Sequence, residues 1–167
     1  DLLPGNYDRN LYQITPNTTS VGYWNVASSD VNSMYGKYAR GFDIPNNKKA
    51  FSFDVDSSFL NYAPLNSKYS VTVDITYLDD NDGSWQVYYD SKNVTDKSSV
   101  LITGTKTNKW KKVSVTLSDA YFGNRGPSGS DFSIRSVNNK KVLFSTVELS
   151  RSASSVTNIN LYATAMP

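Results

Sequence analysis

The chain contains no histidine and no cysteine, and Glu148 is its only glutamate. Without histidine there is no imidazole to act as general acid or base, no Ser-His-Asp triad and no imidazole-ligated metal. Without cysteine there are neither disulfides nor thiolate-bound zinc, and the redox compartment leaves no mark on the sequence. A glycosidase carboxyl pair would have to come from aspartates alone, or from one aspartate with Glu148. No apolar run approaches the roughly 18 residues of a membrane-spanning helix, and no signal-peptide pattern opens the chain. The first residue is Asp1 rather than Met, so we expect a processed or excised polypeptide. The formal net charge is +2, with Lys and Arg scattered among Asp, Asn and Ser, and it requires no polyanionic partner.

What is present is aromatic and polar. Twelve Tyr and three Trp stand among many Ser, Thr and Asn, a mixture that suits β-rich extracellular domains. A length of 167 residues fits a single domain over 1–167, with enough chain to bury a core without crosslinks. Two sequons, at Asn17 and Asn93, are of the kind that chance produces in such a composition.

Strict alternation dominates from residue 50 onward. In YSVTVDITY (69–77), Tyr69, Val71, Val73, Ile75 and Tyr77 share one face. AFSFDVD (50–56) puts Phe51, Phe53 and Val55 inward, and SWQVYYD (84–90) does the same with Trp85, Val87 and Tyr89. Further strands are predicted at 98–104, 109–117, 131–136, 142–150 and 158–164, with shorter ones at 10–14, 21–26 and 36–44. Turn-forming stretches such as IPNNKK, APLNSK and GNRGPSGS separate them, and no amphipathic helix pattern intervenes. The pattern predicts an all-β, antiparallel β-sandwich of jelly-roll type.

Three segments carry a resemblance: VTVDITYLDDNDGSWQVYYD (71–90), NKWKKVSVTLSDAYFGNRGPSGSDFSI (108–134) and VLFSTVELS (142–150). Together they resemble the galactose-binding-like jelly-roll modules attached to secreted polysaccharide-degrading enzymes. The likeness spans roughly residues 49 to 151, and Gly-Lys-Tyr-Ala-Arg-Gly-Phe (36–42) extends it loosely toward the N-terminus. It implies a non-catalytic carbohydrate-binding module that holds a partner enzyme near its polysaccharide. Such modules often carry a structural calcium ion, but no ligand motif here assigns one.

Several groups of residues invite chemistry. Asp79, Asp80, Asn81, Asp82 and Gly83 link two alternating strands, and Asp-Gly is a strong hairpin signal. The cluster reads as a solvated hairpin turn, with a calcium loop or catalysis as the alternatives weighed. As hairpin partners, the two strands would set Thr72, Asp74 and Thr76 beside Gln86, Tyr88 and Asp90 on a polar face. A sugar is met by an aromatic ring against its C–H face and by planar polar side chains around its hydroxyls. Tyr88 flanked by Gln86 and Asp90 has that chemistry, although outward Thr, Asp and Tyr also simply solvate a sheet.

Tyr23, Trp24, Tyr35, Tyr38 and Arg40 form a second aromatic and basic group, read either as core or as ligand contacts. Under alternation Tyr38, Arg40 and Phe42 share a face, so Arg40 either pairs with a buried carboxylate or reaches a ligand. Trp110 alternates outward with Lys112, Ser114 and Thr116, whereas the resemblance implies packing at the strand start; packing is the reading adopted. The long loop Ser118–Asp131 carries Tyr121, Asn124 and Arg125. Arg125 either contacts a ligand or orders the loop through Asp119 or Asp131. KTNKWKK (106–112) is too short and isolated for a nucleic-acid groove.

The expectation is therefore a secreted or extracellular monomer that binds a polysaccharide without altering it while tethered to a catalytic domain, with neither nucleic acid nor membrane as partner. Its carbohydrate-binding residues are expected to be Trp24, Tyr35, Arg40, Gln86, Tyr88, Asp90, Asn124 and Arg125, with no catalytic or metal-ligating residue. The alternatives are a jelly-roll lyase or glycosidase, using Tyr88 with Arg40 or Arg125, and a protein-binding adhesion domain.

Overall fold

The computed structural model describes residues 7–8, 10–14, 20–24, 37–60 and 69–153; the strand read at 158–164 and Tyr35 lie outside the described residues. The strands are β1 (Tyr7–Asp8), β2 (Leu11–Ile14), β3 (Ser20–Trp24), β4 (Lys37–Gly41), β5 (Ala50–Val55) and β6 (Tyr69–Asp79). They continue with β7 (Ser84–Tyr89), β8 (Lys97–Ser98), β9 (Ile102–Thr103), β10 (Lys109–Leu117), β11 (Phe132–Ser136) and β12 (Leu143–Ala153). Sheet A has the order β1-β2-β5-β11-β7-β8, with β9 also on β7, and sheet B the order β10-β6-β12-β4-β3. Every pairing is antiparallel. The fold is an antiparallel β-sandwich of jelly-roll type, as the alternation predicted.

The inner faces are those the period of two selects. Val71, Val73 and Ile75 of β6, Val55 of β5, and Trp85 and Val87 of β7 are wholly buried. At one end of the core Phe42, Phe51, Phe144, Trp85 and Tyr77 meet in tilted and edge-on contacts with centroids 5.2–5.4 Å apart. At the other, Phe53 stacks on Phe132 at 4.8 Å, and Phe132 on Phe122 at 6.0 Å. Each such ring contributes about 1.5–3 kcal/mol by burial.

The acidic turn is not a hairpin. β6 lies in sheet B between β10 and β12, while β7 lies in sheet A against β11, so 80–83 carries the chain from one sheet to the other. Chain neighbours usually pair, but here both strands bury the same kind of apolar face, and a sandwich satisfies them by setting the faces against each other. Gly83 makes the crossing feasible, because a Cβ there would collide with Val142 and Asn81. Thr72, Asp74 and Thr76 consequently stand on the outer face of sheet B, and Gln86 and Tyr88 on the opposite side of the molecule.

Nor is the cluster simply solvated. The Asp79 side chain is fully enclosed. It accepts from Thr105 N at 2.5 Å, Thr105 Oγ1 at 2.8 Å, Thr107 Oγ1 at 2.6 Å, and Lys106 N and Thr107 N at 3.2 Å, with Lys111 Nζ at 2.6 Å. Burial by itself would raise this carboxyl, but Lys111 and the Thr107 and Thr105 groups outweigh it and hold it far below the usual range. Asp82 turns to Lys140 and Lys106, and Asn81 bonds the Lys141 carbonyl and the Gly83 amide. These oxygens do not converge as a calcium loop requires.

Two further differences have local causes. The strand read at 98–104 is split into β8 and β9: between the pairs Tyr88↔Ser98 and Trp85↔Ile102 the edge holds one residue more than β7. That bulge breaks the edge and leaves Val100 and Leu101 exposed. Trp110 stands on the outer face of sheet B, as alternation gives, and is also packed, against Ala39, Leu78 and Leu143.

Replacing Asp79 by Asn leaves several enclosed donors without a charged acceptor. The urea midpoint is expected to fall by an amount equivalent to about 2 kcal/mol, while Asp82→Asn leaves it in place. Equal midpoints for the two variants would contradict the role given to Asp79.

Candidate functional site

Register across sheet A assembles an outward surface. Ile14, Ser52, Ser133, Tyr88 and Ser98 form one row of paired residues, and Ala50, Arg135 and Gln86 form the next. Tyr12 pairs with Asp54 in a row on the other side. All alternate with core residues, so they face out. Ser52 and Ala50 give the middle of this face a low floor, Ser133 being buried where Arg135 bonds it, with Tyr88 to one side and the exposed Tyr12 to the other. From β2 to β7 is three strand spacings, about 14 Å.

Tyr88 is half-buried and held in place. The Arg135 guanidinium lies 4.3 Å from its ring centroid, and its hydroxyl donates to Gln86 Oε1 at 3.3 Å. Gln86 Nε2 in turn donates to the Ser99 carbonyl at 3.0 Å. Arg135 is held there because its Nε donates to Ser133 Oγ at 2.8 Å, and its Nη1 and Nη2 to the two oxygens of Asp96 at 2.8 and 2.5 Å. The result is a guanidinium set over a phenol ring and edged by an amide, which suits flat, hydroxyl-rimmed ligands. Sequence reasoning missed Arg135 and Asp96. The signal for Arg135 was available, since Phe132 and Ile134 point inward and so turn Arg135 outward.

Asp90 is a correction. It was expected on this face beside Tyr88, but it is fully buried. β7 ends at Tyr89, and alternation lapses there. The carboxylate turns under the loop that follows β10, where Arg125 Nε reaches its oxygens at 2.9 and 3.1 Å and Nη2 reaches one at 2.7 Å. Gly123 N adds a bond at 2.9 Å, and the Asp90 carbonyl accepts from Tyr121 N at 2.8 Å. Arg125 also donates to the Ser91 carbonyl at 2.7 Å and lies 3.9 Å from the Tyr121 ring centroid. It therefore orders the loop, but through Asp90 and not through Asp119 or Asp131. The bidentate, amide-supported partner compensates the buried charge and fixes the loop.

The other expected residues are dispersed. Asn124 sits at the rim of the face, its Nδ2 donating to Asp54 Oδ1 at 2.5 Å and to the Gly129 carbonyl at 3.2 Å. Arg40 belongs to the other sheet, paired with Phe144, and burial lowers its pKa. The backbone of Trp24 ends β3 opposite Lys37, at the edge of sheet B. The pairs considered for a lyase, Tyr88 with Arg40 or Arg125, are thus not assembled. A tyrosine and a lysine do approach at Tyr89 and Lys97, but burial and a 2.5 Å bond to Asp119 push that phenol up to about 12. Such a group keeps its proton and makes a poor base. Among the described residues no cluster of three or more acidic side chains is placed to hold a metal ion.

Asp131 is the unusual carboxyl. It is wholly buried, with Val55 N at 2.8 Å on one oxygen and Asn124 N at 2.9 Å on the other. Burial pushes it up to about 7, against the pull of those two amides, and the neighbouring Asp54 charge adds to the rise.

No protein-family model matches the chain, and no curated protein sequence does. Among solved structures it is similar to a cyclase from Fischerella sp. TAU in complex with 4-(1H-indol-3-yl)butan-2-one. That match has 16% identity and a TM-score of 0.46, over 82% of this chain and 76% of that one. It is also similar to TmCBM61 in complex with β-1,4-galactotriose, with 15% identity and a TM-score of 0.40, over 85% of this chain and 87% of that one. Likenesses this loose carry no functional argument.

Asp90→Ala is expected to cost about 3–5 kcal/mol, read from urea unfolding, because it strands a guanidinium and loop amides. With Arg125→Ala added, the combined loss should fall short of the sum of the single losses; strict additivity would show the two are not coupled. Asp131 titrates in the opposite sense to a salt-bridged aspartate. Since folding raises its pKa from 3.8 to about 7, its contribution is complete below the lower value and is lost as pH rises through the upper one. The thermal midpoint should therefore fall across that window and level off above it, with the slope absent in Asp131→Asn. A wild-type midpoint that climbs through the same window would refute the assignment.

Proposed function

We propose that the outer face of sheet A binds carbohydrate and that the protein is a non-catalytic module, acting outside the cell to hold an attached enzyme at a polysaccharide. The observation that carries this is the Tyr88–Arg135 stack edged by Gln86, set beside a floor of serine and alanine. A pyranose needs a flat surface for its C–H face and fixed donors and acceptors for its hydroxyls, and this constellation offers both. The sequence resemblance to enzyme-linked carbohydrate-binding modules points the same way. A binding role also agrees with the chemistry available. The carboxyl with a pKa near neutrality, Asp131, is enclosed beneath a loop where no substrate reaches it.

A shallow, polar face buries little apolar area and must displace bound water, so affinity per module is modest. Retention then depends on tethering or on several modules acting together.

Affinity electrophoresis against a broad set of neutral and acidic polysaccharides tests the proposal. At least one should retard the wild-type protein, and Tyr88→Ala should weaken that retardation by about tenfold, the equivalent of one lost aromatic stack. Incubation with the same polysaccharides should release neither reducing nor unsaturated ends. Unretarded migration on every glycan, or turnover abolished by Tyr88→Phe, would overturn this reading.

A further inference from the structure

We propose that Asp96 is a specificity-determining residue that makes the sheet A face select uncharged glycan chains over uronate-bearing ones. This inference rests on the carbohydrate-binding reading of the face. β2, β5, β11 and β7 together turn one cation outward, Arg135, and one carboxylate, Asp54. An arginine stacked on a tyrosine would ordinarily be a strong receptor for a sugar carboxylate, since its fork of N–H donors matches that group bidentately. Here the fork is already filled. Asp96 occupies both Nη atoms at 2.8 and 2.5 Å, and Ser133 Oγ takes Nε at 2.8 Å. The Arg135 side chain is only 24% exposed and that of Asp96 44%, so the pair stands at the rim with its acid toward solvent.

Electrostatics follow from this inventory. Among the described residues of these four strands, with Arg135 matched by Asp96, the outward charge left is the negative one of Asp54, which is bonded to neutral Asn124. A uronate arriving at Tyr88 meets a competing carboxylate where it needs a cation, and like charges placed side by side are strongly disfavoured. A neutral sugar meets no such penalty. With its paired donors used, the guanidinium is left to meet hydroxyls singly, and Asp96 keeps lone pairs for hydroxyl donors. Asp96 thus gives Arg135 the role of a stacking and hydrogen-bonding plate instead of an anion receptor.

The experiment takes the neutral polysaccharide that retards the wild-type protein most and a derivative of it oxidised at C6 to the uronate. Retention of wild type, Asp96→Asn and Asp96→Glu is compared on both, with thermal midpoints confirming that each variant is folded. Wild type and Asp96→Glu should bind the oxidised chain at least about tenfold more weakly than the neutral one. Asp96→Asn should bring the ratio of oxidised-chain to neutral-chain binding close to one, the ratio being the readout because Asp96 also helps to position Arg135 for the neutral chain. The inference is overturned if wild type holds the oxidised chain as well as the neutral one, or if Asp96→Asn leaves the ratio unchanged. It is equally overturned if only acidic polysaccharides are bound, an outcome that leaves the carbohydrate-binding reading standing. If no polysaccharide of either kind is bound, that reading falls and this inference with it.

Discussion

The buried carboxylate of Asp90 is the contact on which one end of this sandwich depends. An ionised group with no access to water is unfavourable unless its oxygens are fully used, and those of Asp90 are taken by Arg125 and by the amide of Gly123. Pinning that loop has two effects at once. It drives Phe122 into the core against Phe132, and it brings Asn124 round to Asp54 at the margin of the outer face. The same device recurs at other connections. Asp131 collects the amides of Val55 and Asn124, and Asp79 collects those of residues 105 to 107. Sandwich loops carry many backbone donors that no sheet ladder can satisfy, and in a chain without disulfides enclosed aspartates supply the missing acceptors.

The two outer surfaces that result are chemically unlike. Sheet B presents a mesh in which Lys112 reaches Asp74 and Glu148, and Ser114 bonds Asp74, beside the apolar patch under Trp110. Exposed ion pairs of this kind contribute little. Sheet A presents low residues between aromatic margins, and the Asp96–Arg135 ion pair fixes a guanidinium over a phenol ring. Planarity and fixed hydrogen-bond geometry are what discriminate among sugars, and it is this contrast between the faces on which the proposal for sheet A rests. Asp90 and Asp131 are buried and do not form part of this surface.

The inner surface of the sandwich was legible in the sequence because the side-chain period of two is local. Phe51, Phe53 and Val55, then Val71, Val73 and Ile75, then Trp85 and Val87 each declare their face within a few residues, and all are buried. The outward positions of Gln86 and Tyr88 followed from the same rule. The fate of Asp90 did not, since it lies one residue past the strand, where alternation no longer applies. Trp110 shows the rule and its limit together: the parity was right, but only the approach of Leu78, Ala39 and Leu143 made that outward position a packed one.

By itself, then, the sequence determined the strands, their apolar faces and the classes of chemistry the chain is too poor in histidine and glutamate to perform. The tertiary structure alone decided which strands became neighbours, because pairing is governed by surface burial and chain crossing and not by proximity in the chain. It sent β6 and β7 to different sheets, which separated Asp74 from Tyr88. It also brought Arg135 and Asp96 to Tyr88 from distant segments. A surface of this kind is made by register across strands, and register between remote segments has no period that can be read along one of them.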